Sequence, residues 1–340
     1  MSGILVVNAG STSLKLSLVD DRGASHTIES LADAGDVDAV AHRIVHGGMG
    51  FREPVLIGAD VRSSLDVLTE LAPLHNRPAL AALDDAMRAL PRLPQVAVFD
   101  TAFHATMPAA ASTYALPQRW RDDWGIRRFG FHGLSVQWSA EQVRVPRLVV
   151  CHLGGGCSVT AVQDGRSVDT TMGFSPLEGV PMATRSGSID AEIVLHLLRT
   201  GGIAPDEIEH SLESESGLLG LSGESAHVEE LERSSSPGAK LALEVFVHRV
   251  AAAVGAMAAA LGGIDALVFT AGVGEGSAGI RNGVCARLGF LGLVLDDALN
   301  EDAVPDAEVA ASDSATRIVV VHAREDVVAA RAASTLLGLT

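Results

Sequence analysis

Two stretches set 144 positions apart share one pattern: an apolar run, a turn of small residues, and a second apolar run. The later one opens with Leu148-Val149-Val150-Cys151, turns through His152-Leu153-Gly154-Gly155-Gly156-Cys157-Ser158 and becomes apolar again. The earlier one runs Ile4-Leu5-Val6-Val7, then Asn8-Ala9-Gly10-Ser11-Thr12-Ser13, and resumes at Leu16-Ser17-Leu18-Val19. Sliding one onto the other lays Leu5-Val6-Val7 on Val149-Val150-Cys151, Gly10 on Gly154 and Asp20 on Asp164. Short apolar runs bounded by turn residues read as buried strands. Apolar-glycine-apolar patterns also recur by chance in α/β chains, yet two hairpins at this spacing predict a duplicated domain with a ligand held between the copies. Glycines in such a turn tolerate positive φ and let backbone N–H groups converge on an anion, with phosphate the first expectation.

The chain has 340 residues, 47% of them hydrophobic, enough for more than one core, so two domains are expected. Residues 1–145 with the C-terminal helix 327–340 form one expected unit and 146–326 the other, with the linker near Val145-Pro146. Asp and Glu total 42 against 25 Lys and Arg, a formal charge of −17 that repels nucleic acid and anionic membranes. An anionic ligand must therefore be held by a few local arginines. Three cysteines (Cys151, Cys157, Cys285) cannot all pair, which fits a reducing cytoplasm. The most apolar later run, Val250 to Leu261, is shorter than the roughly 20 residues that span a bilayer, so a soluble protein is expected.

Along the chain, a helix is predicted from about Pro78 to Leu90 and a strand over Val96-Ala97-Val98-Phe99, ending on Asp100. Ligands gather at the carboxyl ends of α/β strands, which puts Asp100 and His104 where chemistry is expected. A helix over 135–143 follows Phe129-Gly130-Phe131-His132-Gly133, and another over 240–261 stops at Gly262-Gly263. Ser234-Ser235-Ser236-Pro237-Gly238 reads as an exposed loop. Strands over 266–269 and 318–321 lead respectively into Thr270-Ala271-Gly272-Val273-Gly274-Glu275-Gly276 and into Arg324-Glu325-Asp326 ahead of the last helix.

Gly274-Glu275-Gly276-Ser277-Ala278-Gly279 matches the dinucleotide pattern GxGxxG, with Asp296 downstream. It lies at the far end of the chain, beyond a glycine apparatus that a dehydrogenase does not need, and reads better as a nucleotide-contacting turn at a helix N-terminus. His42 and His46 precede Gly47-Gly48 in a strand-like context, so they are no zinc pair, and the chain lacks a GxSxG elbow. One buried Arg or His is as often a structural partner as a catalyst. Together, Arg43, Arg185, His75, His132, Asp100 and Glu325 each stand beside glycine, proline or a strand end, as a phosphoryl-transfer site requires of its cations and metal-holding carboxylates.

These stretches resemble the acetate kinase (acetokinase) family of the actin, sugar-kinase and Hsp70 superfamily. The resemblance rests on Val7 to Lys15, His42-Arg43-Ile44-Val45-His46-Gly47-Gly48, Ala72-Pro73-Leu74-His75-Asn76, Phe99 to His104, Gly130-Phe131-His132-Gly133, Pro176-Leu177-Glu178-Gly179, Thr184-Arg185-Ser186-Gly187 and Phe269 to Glu275. They follow the family's order from end to end. The resemblance implies two duplicated actin-like (ribonuclease H-like) α/β domains around a cleft, and ATP plus acetate giving ADP plus acetyl phosphate with Mg²⁺ (or Mn²⁺). It implies that Arg43 and Arg185 clamp acetate and the migrating phosphoryl group, that His132 bonds that group, and that His75 supports the substrate side. Asn8, Ser11, Ser13 and Lys15 would face the phosphates, as would His152, Gly154, Gly155, Gly156, Gly272, Gly274, Glu275 and Gly276. Asn8, Asp100 and Glu325 would hold the metal, while Val45, Leu74, Phe131 and Pro176 would house the methyl group. A homodimer is implied, and the Ala-rich helix after Lys240 is a candidate part of its interface.

The chain departs from the family on the nucleotide side. Gly155 and Gly276 stand where asparagine is usual, and His227 and Glu229 where an Asp and an Arg are expected near the nucleoside. Altered nucleotide selection, or a donor such as pyrophosphate, is therefore an alternative, as is propionate in place of acetate. A third reading, from another class, is an actin- or Hsp70-like nucleotide switch, which has no use for two arginines and a histidine beside an apolar pocket.

Overall fold

Each half of the chain starts from its hairpin. In the computed structural model, residues 3–9, 14–71 and 73–339 are described, the side chains of residues 70–75 lying outside that description. The first sheet contains β1 (Gly3–Ala9), β2 (Leu14–Asp20), β3 (Ser25–Ile28), β4 (Ala39–Ile44), β5 (Val55–Leu56) and β6 (Gln95–Phe99), in the order β3-β2-β1-β4-β6-β5. The second contains β7 (Arg147–Leu153), β8 (Cys157–Gln163), β9 (Arg166–Thr170), β10 (Ala266–Thr270), β11 (Ala307–Glu308) and β12 (Arg317–Val321), in the order β11-β12-β10-β7-β8-β9. Read from β3 and from β9, the two orders match strand for strand. In both, a hairpin is followed by two parallel additions and a short antiparallel edge. The sequence offset between Gly3 and Arg147 is thus a true topological repeat, and the mixed α/β duplication expected from the hairpins is the observed architecture.

Alternation along the strands explains their unbroken apolar character, since both faces are covered. Ile4 and Val6 point into a cluster shared with Val150, Val268 and Val319 of the second sheet. Leu5 and Val7 point the other way, against Leu16 and Ala86. The shared cluster is filled by two helices, Gly133–Gln142 and Glu325–Leu337, which contribute Leu134, Val136, Trp138, Val327, Val328 and Ala330. The last helix follows β12 of the second sheet but packs on β1, β2, β4 and β6 of the first.

Two helices start earlier than the sequence suggests, both for the same reason. Proline is favoured at the first helical position, where its missing N–H costs nothing. Pro73, not Pro78, opens the helix Pro73–Ala89, and Pro78 sits inside it. Pro237, which the sequence pattern places in a loop, opens the helix Pro237–Leu261, with the Ser236 hydroxyl accepting from the Ala239 N–H at 3.0 Å. At 25 residues, with an 18-residue window of mean hydropathy 1.6, this helix is long and apolar enough to cross a membrane, which the shorter run 250–261 conceals. Here it is a core helix: Ala239, Ala242, Phe246, Val250, Val254 and Leu261 pack with Val149 and Phe269. Full burial of a side chain such as Phe246 is worth about 1.5–3 kcal/mol. The other face of the helix keeps Leu241, Ala252, Ala256, Ala259 and Ala260 exposed, an apolar stripe on the side away from the core.

Candidate active site

The parallel strands of both sheets end on the same cleft. Asn8 and Arg43 are register partners on β1 and β4, and Asp100 follows β6 directly. Arg43 Nε and Nη2 donate to the two Asp100 oxygens at 2.8 and 2.6 Å. Arg43 Nη1 donates to Asn8 Oδ1 at 3.0 Å and lies 3.1 Å from Glu325 Oε2, which also accepts from Asn8 Nδ2 at 3.5 Å. Glu325 opens the last helix, so its packing on the first sheet brings this carboxylate across. Burial disfavours charge on Arg43, but Asp100 and Glu325 outweigh it and hold the guanidinium above its ordinary value. Burial also pushes the Asp100 carboxyl up, against the pull of Arg43. Both edges of Arg43 are engaged, which ties it to the expected metal carboxylates.

Arg185 is the contrasting case. No ion pair joins it to a carboxylate among the described residues; Nη1 donates to the Pro176 carbonyl at 2.7 Å. Burial pulls its pKa below the ordinary value, with Cys157 and Glu213 opposing, yet a guanidinium stays charged. Its other terminal nitrogen converges with His132 on Gly156: a Cβ there would stand 3.0 Å from Arg185 Nη2 and 3.1 Å from His132 Nε2. This corrects the reason for the glycines, because none of residues 154–156 has positive φ. Close approach of two side chains, not backbone conformation, requires glycine at 156.

His132 has φ 59° and begins the helix Gly133–Gln142. Its Nδ1 lies 3.0 Å from Ser158 Oγ, turning Nε2 toward Arg185, and its ring stacks on His152 at 4.0 Å. His152, the penultimate residue of β7, is held in turn by Ser135 Oγ at 2.8 Å from Nδ1. Burial, then neighbouring charge, lowers both: His132 well below its ordinary value, and His152 to about 4. Both imidazoles are neutral near pH 7 and able to donate a hydrogen bond. Sequence reasoning misses Ser158 and Ser135; their positions just after the turn and inside the helix are the available signal.

Val45, Phe131 and Pro176 are all buried, Val45 and Phe131 within one apolar cluster. Leu74 and His75 lie outside the described side chains, and Ser11 and Ser13 outside the described residues. Asn76, the last residue of the Ala72–Asn76 motif, ties the backbone beside Val45: its side chain exchanges hydrogen bonds with the His46 N–H and C=O at 3.2 Å each. Lys15 is exposed and pairs across β1 and β2 with Asn8.

On the donor side, the Gly154 N–H is consumed by the Gly156 carbonyl at 3.0 Å. Gly155, Gly272 and Gly276 face open space, with nothing within 4 Å of where a Cβ would stand. Gly274 is buried, and a Cβ there would meet the Phe269 backbone at 3.3 Å, so its smallness serves packing. Residues 271–276 form a short helix rather than the expected turn. The Glu275 carboxylate is occupied: Oε1 accepts from the Ala271 and Ala323 N–H groups, and Oε2 meets His322. His227 and Glu229 are exposed, with Glu229 paired to Arg233.

No cluster of three or more His, Cys, Asp and Glu suited to a metal occurs among the described residues. Mg²⁺ is ordinarily held by one or two carboxylates plus substrate phosphates. Asp100 and Glu325 around the single cation Arg43 leave one negative charge in surplus, so this set fits that mode.

A sequence model described as the acetokinase family matches residues 25–331. The acetate kinase of Gloeobacter violaceus is 48% identical over 314 residues, covering 88% of this chain and 77% of that protein. That of Nostoc punctiforme is 43% identical over 345 residues, covering 95% and 85%. Among solved structures, a propionate kinase from Francisella tularensis superposes with a TM-score of 0.91 at 34% identity, covering 98% and 99% of the two chains. An acetate kinase from Porphyromonas gingivalis gives 0.87 at 31% identity, with full coverage of both.

Proposed function

The chain belongs to the acetokinase family of carboxylate phosphotransferases, and from that premise we propose that it transfers the γ-phosphoryl group of ATP reversibly to acetate, giving acetyl phosphate and ADP. The observation that carries this reading is the meeting of Arg185 Nη2 and His132 Nε2 over Gly156. A desolvated cation with no ion pair among the described residues and a neutral imidazole donor suit a migrating phosphoryl group, whose charge grows on its outer oxygens. Acetate is already an oxyanion, so the site needs no strong base. Its task is to position the carboxylate oxygen in line with phosphorus and to exclude water.

Arg185 would hold acetate and the phosphoryl group, with Arg43 braced beside them. Val45, Phe131 and Pro176, with Leu74, would house the methyl group, and His75 would support that side. Asn8, Ser11, Ser13, Lys15 and His152, with the turn 154–156 and Gly272 and Gly276, would face the donor. Mg²⁺ or Mn²⁺, when bound by Asp100 and Glu325 with Asn8, would neutralise charge on the donor phosphates. Residues 1–145 with 327–340 and residues 146–326 act as two lobes closing on the substrates, in a cytoplasmic homodimer.

The likeness to a propionate kinase favours a second reading, with propionate as acceptor. One methylene in an apolar pocket is worth only about 1–3 kcal/mol, so both acids should react, acetate better. Hydroxylamine trapping of the acyl phosphate, with acetate or propionate and a panel of donors, tests both readings. Absence of hydroxamate with every donor would sink them.

A further inference from the structure

We infer that Glu275 is a positioning residue that locks the loop beside the glycine turn to the link between β12 and the helix opened by Glu325, fixing these two parts of the site relative to each other. The inference rests on the phosphotransferase reading for its kinetic arm only. Glu275 lies in the short helix Ala271–Gly276, and its side chain is 16% exposed. One oxygen accepts the Ala271 N–H at 3.0 Å and the Ala323 N–H at 2.9 Å; the other lies 2.7 Å from His322 Nδ1. Ala271 is a non-glycine residue at φ 66°, a conformation that persists only where surroundings hold it. A Cβ on Gly154 would stand 3.5 Å from the Ala271 Cβ and 3.9 Å from the Gly272 nitrogen, so the loop's placement sets one wall of the turn. Ala323 stands two residues before Glu325, which reaches Arg43 at 3.1 Å.

The same loop is clamped from beneath. Arg281, buried to 2% exposure, donates from Nη1 to the Gly274 and Glu275 carbonyls at 3.0 and 2.8 Å, and from Nε and Nη2 to Asn300. Backbone held from below and side chain bound above engage both Glu275 oxygens within the protein. A carboxylate suits the task because one oxygen serves two N–H groups while the other takes the imidazole.

The test pairs hydrogen exchange with kinetics on Glu275→Ala and Glu275→Gln. In the unliganded protein, Glu275→Ala should exchange its Ala271 and Ala323 amides at least about tenfold faster, while Glu275→Gln, which keeps the accepting oxygen, stays near wild type. Turnover of Glu275→Ala should fall about 100-fold with the acetate KM within threefold, as misplacement by about 1 Å does, and Glu275→Gln should recover most of it. Unchanged exchange at both amides overturns the brace. So does a loss confined to the ATP KM, the mark of direct donor contact. Should wild-type protein yield no hydroxamate, the functional reading fails while the exchange result still decides the brace.

Discussion

Arg43 and Arg185 carry the same charge in opposite settings, and that separates the consequences of losing them. Arg43 neutralises Asp100 and Glu325; removing it strands buried carboxylate charge, so Arg43→Ala should destabilise the fold by about 3–5 kcal/mol as well as abolish turnover. Arg185 forms no ion pair among the described residues, and the half-buried Glu213 feels it only through space. Arg185→Ala should melt within a few degrees of wild type yet lose about 1000-fold in turnover, with the acetate KM changed far less; a near-normal turnover number would remove Arg185 from the chemistry. Four buried histidines give a pH signature. Burial lowers His42, His46, His104 and His152 from 6.5 to about 4. Below pH 6.5 the unfolded chain takes up protons that the folded chain refuses, so the histidine contribution to stability falls as pH drops from 6.5 toward 4 and is level above about 7. Each histidine contributes up to about 1.4 kcal/mol per pH unit within that window. Urea midpoints at pH 7.5, 6 and 5 check this, and a flat profile would contradict neutral burial.

The β7–β8 hairpin shows how neighbouring glycines can differ in purpose. A methyl at 156 would press on Arg185 and His132 at 3.0–3.1 Å, so Gly156→Ala should lower turnover about 10- to 100-fold without loss of folding. Gly155 has open space and ordinary φ, so Gly155→Asn fits. By adding a hydrogen bond worth about 0.5–1.5 kcal/mol, it should lower the ATP KM several-fold. An ATP KM unmoved by this change, with another donor preferred, would place the donor's phosphates elsewhere. The hairpins were legible because apolar period, small-residue turns and repeat spacing are local properties of the chain. Asp100 and Arg43 were legible as strand-end residues, since topology sends those ends to one place. Their mutual pairing was not, because a guanidinium and a carboxylate 57 positions apart leave no local trace of who bonds whom. The contacts of Glu275 were hidden for the same reason: its partners Ala271 and Ala323 are backbone amides, which no sequence pattern marks.

At the scale of the molecule, the two sheets meet through the helices between them, so the cleft's geometry depends on how those helices pack. Trp138 is the joint. It lies on the helix Gly133–Gln142, is 8% exposed, and carries Arg324 and Arg331 over its ring, each 5.4 Å from the centroid. Arg324 immediately precedes Glu325, so the ring that seats Arg324 also sets where the last helix begins and how far its carboxylate reaches toward Arg43. The indole N–H is buried without an acceptor among the described residues, which makes the apolar ring, not its polar edge, the useful part. Trp138→Phe keeps a face for both arginines and removes the unpaired donor, so it should stay within about 1 kcal/mol of wild type in urea unfolding. Trp138→Ala opens a cavity between the lobes and should cost about 3–5 kcal/mol. It should also lower turnover at temperatures where the variant is still fully folded, because Glu325 loses its seat, while Trp138→Phe retains activity. Equal stability of the two variants would show that the lobes are held by the aliphatic packing of Val327, Val328 and Ala330 alone, and would detach the position of Glu325 from the aromatic joint.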